Sequence, residues 1–182
     1  AGDVGFLPTA SYCGRIRGEV LNLSAALCGS RFGRGMVRPG GVGFDVDGQR
    51  AEQVLGRLPG VAGDTASSVK LLWETPSVQA RFEGTGQIGS AVAEQIGLVG
   101  PAARACGLER DVRHHHPYGI YRFAHIPPAT WDSGDVFARA YVRWLEIQRS
   151  LAFVGERLGL LPRDDARVEV GKLAGNHTAV SM

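Results

Sequence analysis

The 182-residue sequence predicts an α+β fold that is mainly helical, with long helices packed as a bundle beside a small, irregular β element. Three observations carry that prediction. Apolar residues recur at three- and four-residue spacings over 11–27 and again over 134–160, which is the helical period. Strand-like stretches are short. Glycine and proline interrupt the chain between the periodic segments. The length suits one domain, so residues 1–182 are read as a single unit.

The helix over 11–27 rests on Ile16, Val20, Leu23 and Leu27, with Ser11 as its cap and Gly29 as its stop. Residues 30–43 form an arginine- and glycine-rich loop around Pro39-Gly40-Gly41, with at most a short strand at Met36-Val37-Arg38. Two helices are expected over 48–75. One runs from Gly48 to about Leu58 on Ala51, Val54, Leu55 and Leu58; the other runs from Asp64 to Glu74 on Val69, Leu72 and Trp73. Pro76 then kinks or ends it.

Residues 84–130 are read as irregular. Gly84-Thr85-Gly86 breaks the pattern, Ser90 to Ile96 makes a short helix, and Leu98 to Pro128 mixes glycine, proline and aromatics without periodicity. Loops with one or two short strands are expected there, Ile120 to Ile126 among them.

The clearest helix spans 134–160. Asp132 or Ser133 can cap it, and Asp135 suits the positive end of its dipole. Phe137, Tyr141, Trp144, Leu145, Ile147, Leu151 and Val154 supply a broad apolar face. Glu146 stands three residues from both Arg143 and Arg149, a spacing that allows local pairing. Pro162 stops the helix, and the alternation over 167–170 reads as a short last strand.

Composition excludes several classes. Twenty basic residues against eighteen acidic ones leave a formal charge of +2, too balanced for a nucleic-acid or membrane-surface partner. Apolar runs fall far short of the ~20 residues of a membrane helix, so no direct membrane insertion is expected. Only Lys70 and Lys172 are lysines, an arginine bias that suits buried ion pairs and also follows from GC-rich coding. Cys13, Cys28 and Cys106 are scattered and odd in number, which argues for a reducing compartment and against a disulfide framework. No C-x-x-C occurs, so no metal ligand set is assigned. The chain does not begin with Met and ends plainly at Val180-Ser181-Met182, as expected of a piece of something longer.

Five segments could carry chemistry. His114-His115-His116 reads as a solvated loop, because successive side chains of an extended segment point in alternating directions and seldom converge on one ion. Arg31, Arg34 and Arg38 with Gly40 and Gly41 could meet an anion or a partner, glycine permitting close backbone approach and arginine supplying a forked donor. Gly84 to Gly89 has the G-x-G-x-x-G spacing but lacks the strand and helix context of a nucleotide loop. Asp111 with Arg113, and Asp135 with Arg139, read as ion pairs at a core or interface. No nucleophile elbow is present and no catalytic residue is assigned.

Three stretches in order resemble one family. Ser30 to Val42 resembles the segment after the long helix in hydrogenase-type large subunits. Gly84 to Tyr118 resembles the family's middle stretch through Gly86, Ile88, Ala93, Gly97, Gly100, Arg104, Ala105, Gly107, Asp111, Arg113, Pro117 and Tyr118. Gly134-Asp135-Val136-Phe137, then Arg139, Val142, Arg143, Glu146 and Ser150, resembles the helix that follows. The family joins the 49 kDa-type subunit of NADH-quinone oxidoreductase and the large subunit of membrane-bound, energy-converting [NiFe] hydrogenases of the formate-hydrogenlyase type.

The resemblance implies a central scaffold fragment of a redox-enzyme large subunit, inactive alone, that shapes the active cavity and docks an iron–sulfur subunit. It implies a membrane arm in the same complex and a cytoplasmic place peripheral to the inner membrane. In the hydrogenase branch two C-x-x-C pairs near opposite ends bind a nickel–iron centre; in the other branch the cavity serves quinone reduction. This chain looks like the part between those pairs, so any nickel–iron centre would belong to the full-length parent and no cofactor to the fragment. Pro39 before Gly40-Gly41 leans towards the hydrogenase-like branch. The alternative is a non-catalytic assembly or scaffold protein that keeps the fold without the metal ligands. A bundle cut in this way leaves the apolar faces of 11–27 and 134–160 uncovered, and the isolated fragment is expected to self-associate.

Overall fold

The computed structural model describes residues 1–162, 165–172 and 175–178; the terminal Val180-Ser181-Met182 lies outside them. The architecture is mainly helical with one small antiparallel hairpin. Helix α1 spans Leu7–Cys28, with Pro8 in its first turn, where a missing amide costs nothing. It therefore starts ahead of Ser11, and Ser11 is not its cap. Gly29 ends it as expected, in the left-handed region at φ 72°, its N–H donating to Ala25 O.

Helix α2, Gly48–Trp73, corrects the expectation of two helices. Proline in a helix interior costs about 3 kcal/mol, and Pro59 sits inside this one. Burial overrides it: Ala51, Val54, Val61, Thr65, Ser68 and Leu72 carry one buried face straight across the proline. Pro59 itself is on the exposed face, where water can take up the carbonyl left without its amide.

Buried Thr9, Ile16 and Leu23 of α1 recur every seven residues, which lays one seam along α2. The two helices run antiparallel. The Thr9 hydroxyl donates to Ser68 O, Arg15 pairs with Asp64 and Glu19 with Arg57, so positions rise on one helix as they fall on the other.

Pro76 does not merely end a helix; it opens another. Helix α3, Pro76–Phe82, buries Val78 and Phe82 one turn apart. Helices α4 (Ser90–Gln95), α5 (Gly100–Arg104) and α6 (Val112–His115) and a 3-10 turn at Gly119–Arg122 build the region expected to be irregular. The strand expected at Ile120 to Ile126 is not formed. Its first half is closed by turn bonds, Tyr121 N–H to Tyr118 O and Phe123 N–H to Ile120 O, and a strand needs its amides free for a neighbour.

The last long helix, α7, covers Val136–Gly159. Its cap is Asp135, not Asp132 or Ser133, and its carboxylate accepts from Ala138 N–H at 2.8 Å. Strands β1 (Val37–Arg38) and β2 (Gly41–Val42) form the hairpin. The strand expected at 167–170 shrinks to one bridge, Arg167 to Gly41, flanked by Val42 N–H to Ala166 O and Val168 N–H to Gly40 O. Beyond Val168 the described residues make no ladder with the hairpin.

Two apolar clusters lie against α7. One joins Leu72, Val78 and Phe82 to Trp73, Val136, Phe137 and Ala140. The other is Ala105, Ala129, Ala138 and Val142, where small side chains let the irregular region approach α7 closely.

Candidate functional site

The strongest polar feature is a cluster of four charges between the irregular region and α7, buried at Arg104 and Asp111 and half-buried at Arg113 and Glu146. Arg104 ends α5, Asp111 caps α6 with its carboxylate on Arg113 N–H, and Glu146 projects from the middle of α7. Arg113 donates to both Asp111 oxygens, at 2.9 and 2.5 Å, and to Glu146 Oε2 at 2.8 Å. Arg104 lies 3.4 Å from Asp111 Oδ2 and 3.4 Å from Glu146 Oε1, and it donates to Arg110 O. Two positive and two negative groups thus neutralise one another, which is the condition for charge to be buried at all.

The Arg113 hydrogen bond holds the Asp111 carboxyl below the usual carboxylate range, against the opposing effect of burial. The same carboxylate, with Glu146, raises the Arg113 guanidinium above its ordinary value, so it is always charged.

Of the residues singled out from sequence, Asp111 and Arg113 pair as expected. Arg104 and Glu146 complete their cluster, whereas sequence spacing assigns Glu146 to Arg143 and Arg149. Those two arginines donate to backbone carbonyls instead, Arg139 O and Pro127 O. The expected Asp135–Arg139 pair is also replaced. Asp135 accepts from Ala138 N–H, Gly84 N–H and the Ser133 hydroxyl, while Arg139 donates to Gly86 O and Gly134 O.

Those bonds give the G-x-G-x-x-G stretch its role. Its amides and carbonyls are taken by the start of α7: Gly84 by Asp135, Thr85 by Val136, Gly86 by Arg139, Ile88 by Gly134. Gly134 is at φ 65°, and a Cβ there would come within 2.0 Å of Ile88 O. The loop is a brace for α7.

Arg31, Arg34 and Arg38 are exposed, and the ion pairs among the described residues do not include them. Arg38 Nε donates to Gly35 O, and its guanidinium lies over Phe44. Gly40 and Gly41 serve close approach by the chain itself. A Cβ on either would fall 2.3 Å from a carbonyl of the 166–168 segment. With Arg167, Val168, Glu169 and Val170, Arg38 and Pro39 line an open cleft of about 610 Å³.

A second cleft is apolar. Facing sides of α1, α2 and the C-terminal half of α7 enclose a groove of about 670 Å³, lined by Val20, Leu27, Leu58, Ile147, Leu151 and Val154 among others. All of these but Leu58, which comes from α2, belong to the faces of 11–27 and 134–160 expected to lie uncovered.

The thiols do not fit a nickel–iron centre. Cys13 is exposed, while Cys28 and Cys106 are buried and donate to carbonyls of their own turns, Ser24 O and Ala102 O. A bridged bimetallic site needs paired thiolates. No helix among the described residues is long and apolar enough to cross a membrane.

Comparison with known proteins sets this geometry in a family. Residues 3–180 match the family model described as respiratory-chain NADH dehydrogenase, 49 Kd subunit. A D-type subunit of NADH-quinone oxidoreductase from Chloroherpeton thalassium is 31% identical over 93% of this chain and 39% of its own length. The carbon monoxide-induced hydrogenase of Rhodospirillum rubrum is 32% identical over 75% of this chain and 38% of its own. Among solved structures, the membrane-bound sulfane sulfur reductase, an archaeal respiratory membrane complex, has a chain that superposes with TM-score 0.81. The two are 27% identical, and the match covers 91% of this chain and 45% of that one. The chain thus spans less than half the length of these relatives.

Proposed function

The chain belongs to the 49 kDa subunit family of respiratory-chain NADH dehydrogenase, to which hydrogenase large subunits are related, and from that membership we propose that it is the central scaffold of a redox-enzyme large subunit. The full-length protein serves electron transfer in a multisubunit respiratory complex, linked to NAD, quinone or hydrogen according to branch. This segment shapes the wall of the active cavity and docks an iron–sulfur subunit; it carries no cofactor and does not turn over alone. Its place is cytoplasmic, peripheral to the inner membrane, beside a membrane arm.

The observation that supports a scaffold is the Arg104–Asp111–Arg113–Glu146 cluster, which fastens the irregular region to α7 and leaves its charges paired with one another. A general acid or base needs a free proton site near neutral pH, and Asp111 and Arg113 are held far from it on either side.

The test is extraction of the full-length protein from its host under mild detergent, followed by pull-down and mass spectrometry. Stoichiometric recovery of an iron–sulfur subunit supports the reading, and recovery of the protein alone refutes it. Metal analysis of the same sample separates the branches: nickel with iron marks the hydrogenase branch, and their absence with quinone reductase activity marks the other.

A further inference from the structure

Between Glu19 and Asp45 the sequence holds no carboxylate, and Arg31, Arg34 and Arg38 all fall in that stretch. The fold gathers them on one surface loop. Gly33 N–H donates to Ser30 O and Met36 N–H to Gly33 O, which closes two successive turns, and Gly43 N–H to Met36 O ties them to the hairpin. Arg31 and Arg34 take the same place in their two turns. Between the arginines stand Phe32, 69% exposed, and Val37, 81% exposed. We propose that residues 31–38 form a docking surface for an acidic protein segment, one carrying both carboxylates and apolar side chains, on a neighbouring subunit.

Charge complementarity carries the inference. Even at exposed positions other arginines of the chain find carboxylates, as Arg15 does in Asp64, Arg57 in Glu19 and Arg110 in Glu94. Among the described residues Arg31 and Arg34 make neither a hydrogen bond nor an ion pair, and Arg38 commits Nε to Gly35 O. Their forked donors match a carboxylate in bidentate geometry. A phosphate or other small anion would satisfy the charge and leave Phe32 and Val37 in water, whereas a protein segment covers both. Arginine and aromatic residues are enriched where proteins meet, and they anchor binding there. One exposed apolar residue is ordinary; two of them set among uncompensated arginines are not. Arg38 carries the surface on into the cleft that it lines with Arg167, where Glu169 is the one carboxylate among the lining residues.

This docking surface rests on the reading that the full-length protein works inside a multisubunit complex. In that protein the photocrosslinking residue p-benzoylphenylalanine is put in place of Phe32, and the complex is irradiated in mild detergent extract and digested for mass spectrometry. The expected product joins position 32 to a peptide of another subunit rich in aspartate and glutamate. Arg31→Glu with Arg34→Glu lowers its yield by more than about tenfold, because like charges set across an interface repel. Arg143→Glu leaves it unchanged, since that arginine follows Tyr141, whose ring meets Trp73 at the end of α2 away from the hairpin.

A cross-link to the chain itself or to a second copy overturns the proposal, as does one to a peptide without acidic residues, or a yield indifferent to the reversal. A lowered thermal midpoint in the double variant would mean that the arginines serve the chain's own fold, and it overturns the proposal too. Full-length protein extracted with no other subunit defeats the functional reading and this surface together. Other subunits present without the cross-link defeat the surface alone.

Discussion

Arg113 donates to Glu146 at 2.8 Å, and through that bond a residue of the shortest α-helix is tied to the middle of α7. Removing one partner of a buried pair strands the other, at a cost of about 3 kcal/mol. Glu146 serves two arginines at once. Glu146→Ala is therefore expected to lose about 3 kcal/mol in urea denaturation, whereas Arg143→Ala, exposed on the same helix, stays within about 0.5 kcal/mol. Similar losses from both would mean that the cluster is not what holds the region down.

Asp135 caps α7 and also receives Gly84 N–H and the Ser133 hydroxyl. An N-cap alone is worth about 1 kcal/mol, up to about 2. Because this side chain also fastens the 84–89 loop, Asp135→Ala is expected at or above the upper end. Asp135→Asn, which keeps an acceptor oxygen, should recover much of the loss. Hydrogen exchange at the Gly84 and Ala138 amides, faster in the alanine variant, locates the effect.

Acid should unfold the chain through two carboxylates. The Arg113 hydrogen bond lowers Asp111. For Asp135, burial pushes upward, but the Ala138 and Gly84 amides and the Ser133 hydroxyl outweigh it and hold the group below its ordinary value. Both folded values thus lie below the unfolded one of about 3.9. Their stabilisation is complete above that pH and is lost as pH falls through the lowered folded values. Urea midpoints measured down an acid series from neutral pH should fall steeply only below about pH 4, and less steeply in Asp135→Asn.

Gly134 is the backbone position with least freedom. Its φ of 65° and the 2.0 Å approach that a Cβ would make to Ile88 O act together. Gly134→Ala should cost more than about 2 kcal/mol, since left-handed strain alone accounts for about 1–3. Gly89→Ala, with open space at its Cβ, is the control and should be nearly neutral. Thermal midpoints of the two variants decide the matter.

Several local signals in the sequence hold and others fail, while the distant contacts are not legible in it. The period of Ile16 and Leu23, the stop at Gly29 and the Asp111–Arg113 pair all depend on residues within a turn or two of one another, and each is present. Glu146 misleads because two arginines three residues away look like partners, while the real ones come from α5 and α6. The expectation of two helices over 48–75 fails in the other direction, since Pro59, a local breaker, lies within a seam of burial running the length of α2. Ile120 to Ile126 has strand-like residues but no neighbour to pair with. His125 carries no local mark at all; only the fold sets it beside His114.

The apolar groove between α1, α2 and α7 makes the last prediction. Val20 is 44% exposed and Val154 is 41% exposed, and both line it together with Leu27 and Leu151. Fully burying such a side chain is worth about 1.5–3 kcal/mol, and covering what remains exposed of one already half-buried roughly half as much, so several in one groove favour any contact that covers them. The isolated chain should associate with rising concentration in sedimentation velocity. Val20→Asp with Val154→Asp should return it to monomer, and because both side chains are already partly in water the fold should survive. A wild-type chain that stays monomeric at high concentration would mean that the groove is closed in solution by the chain's own residues.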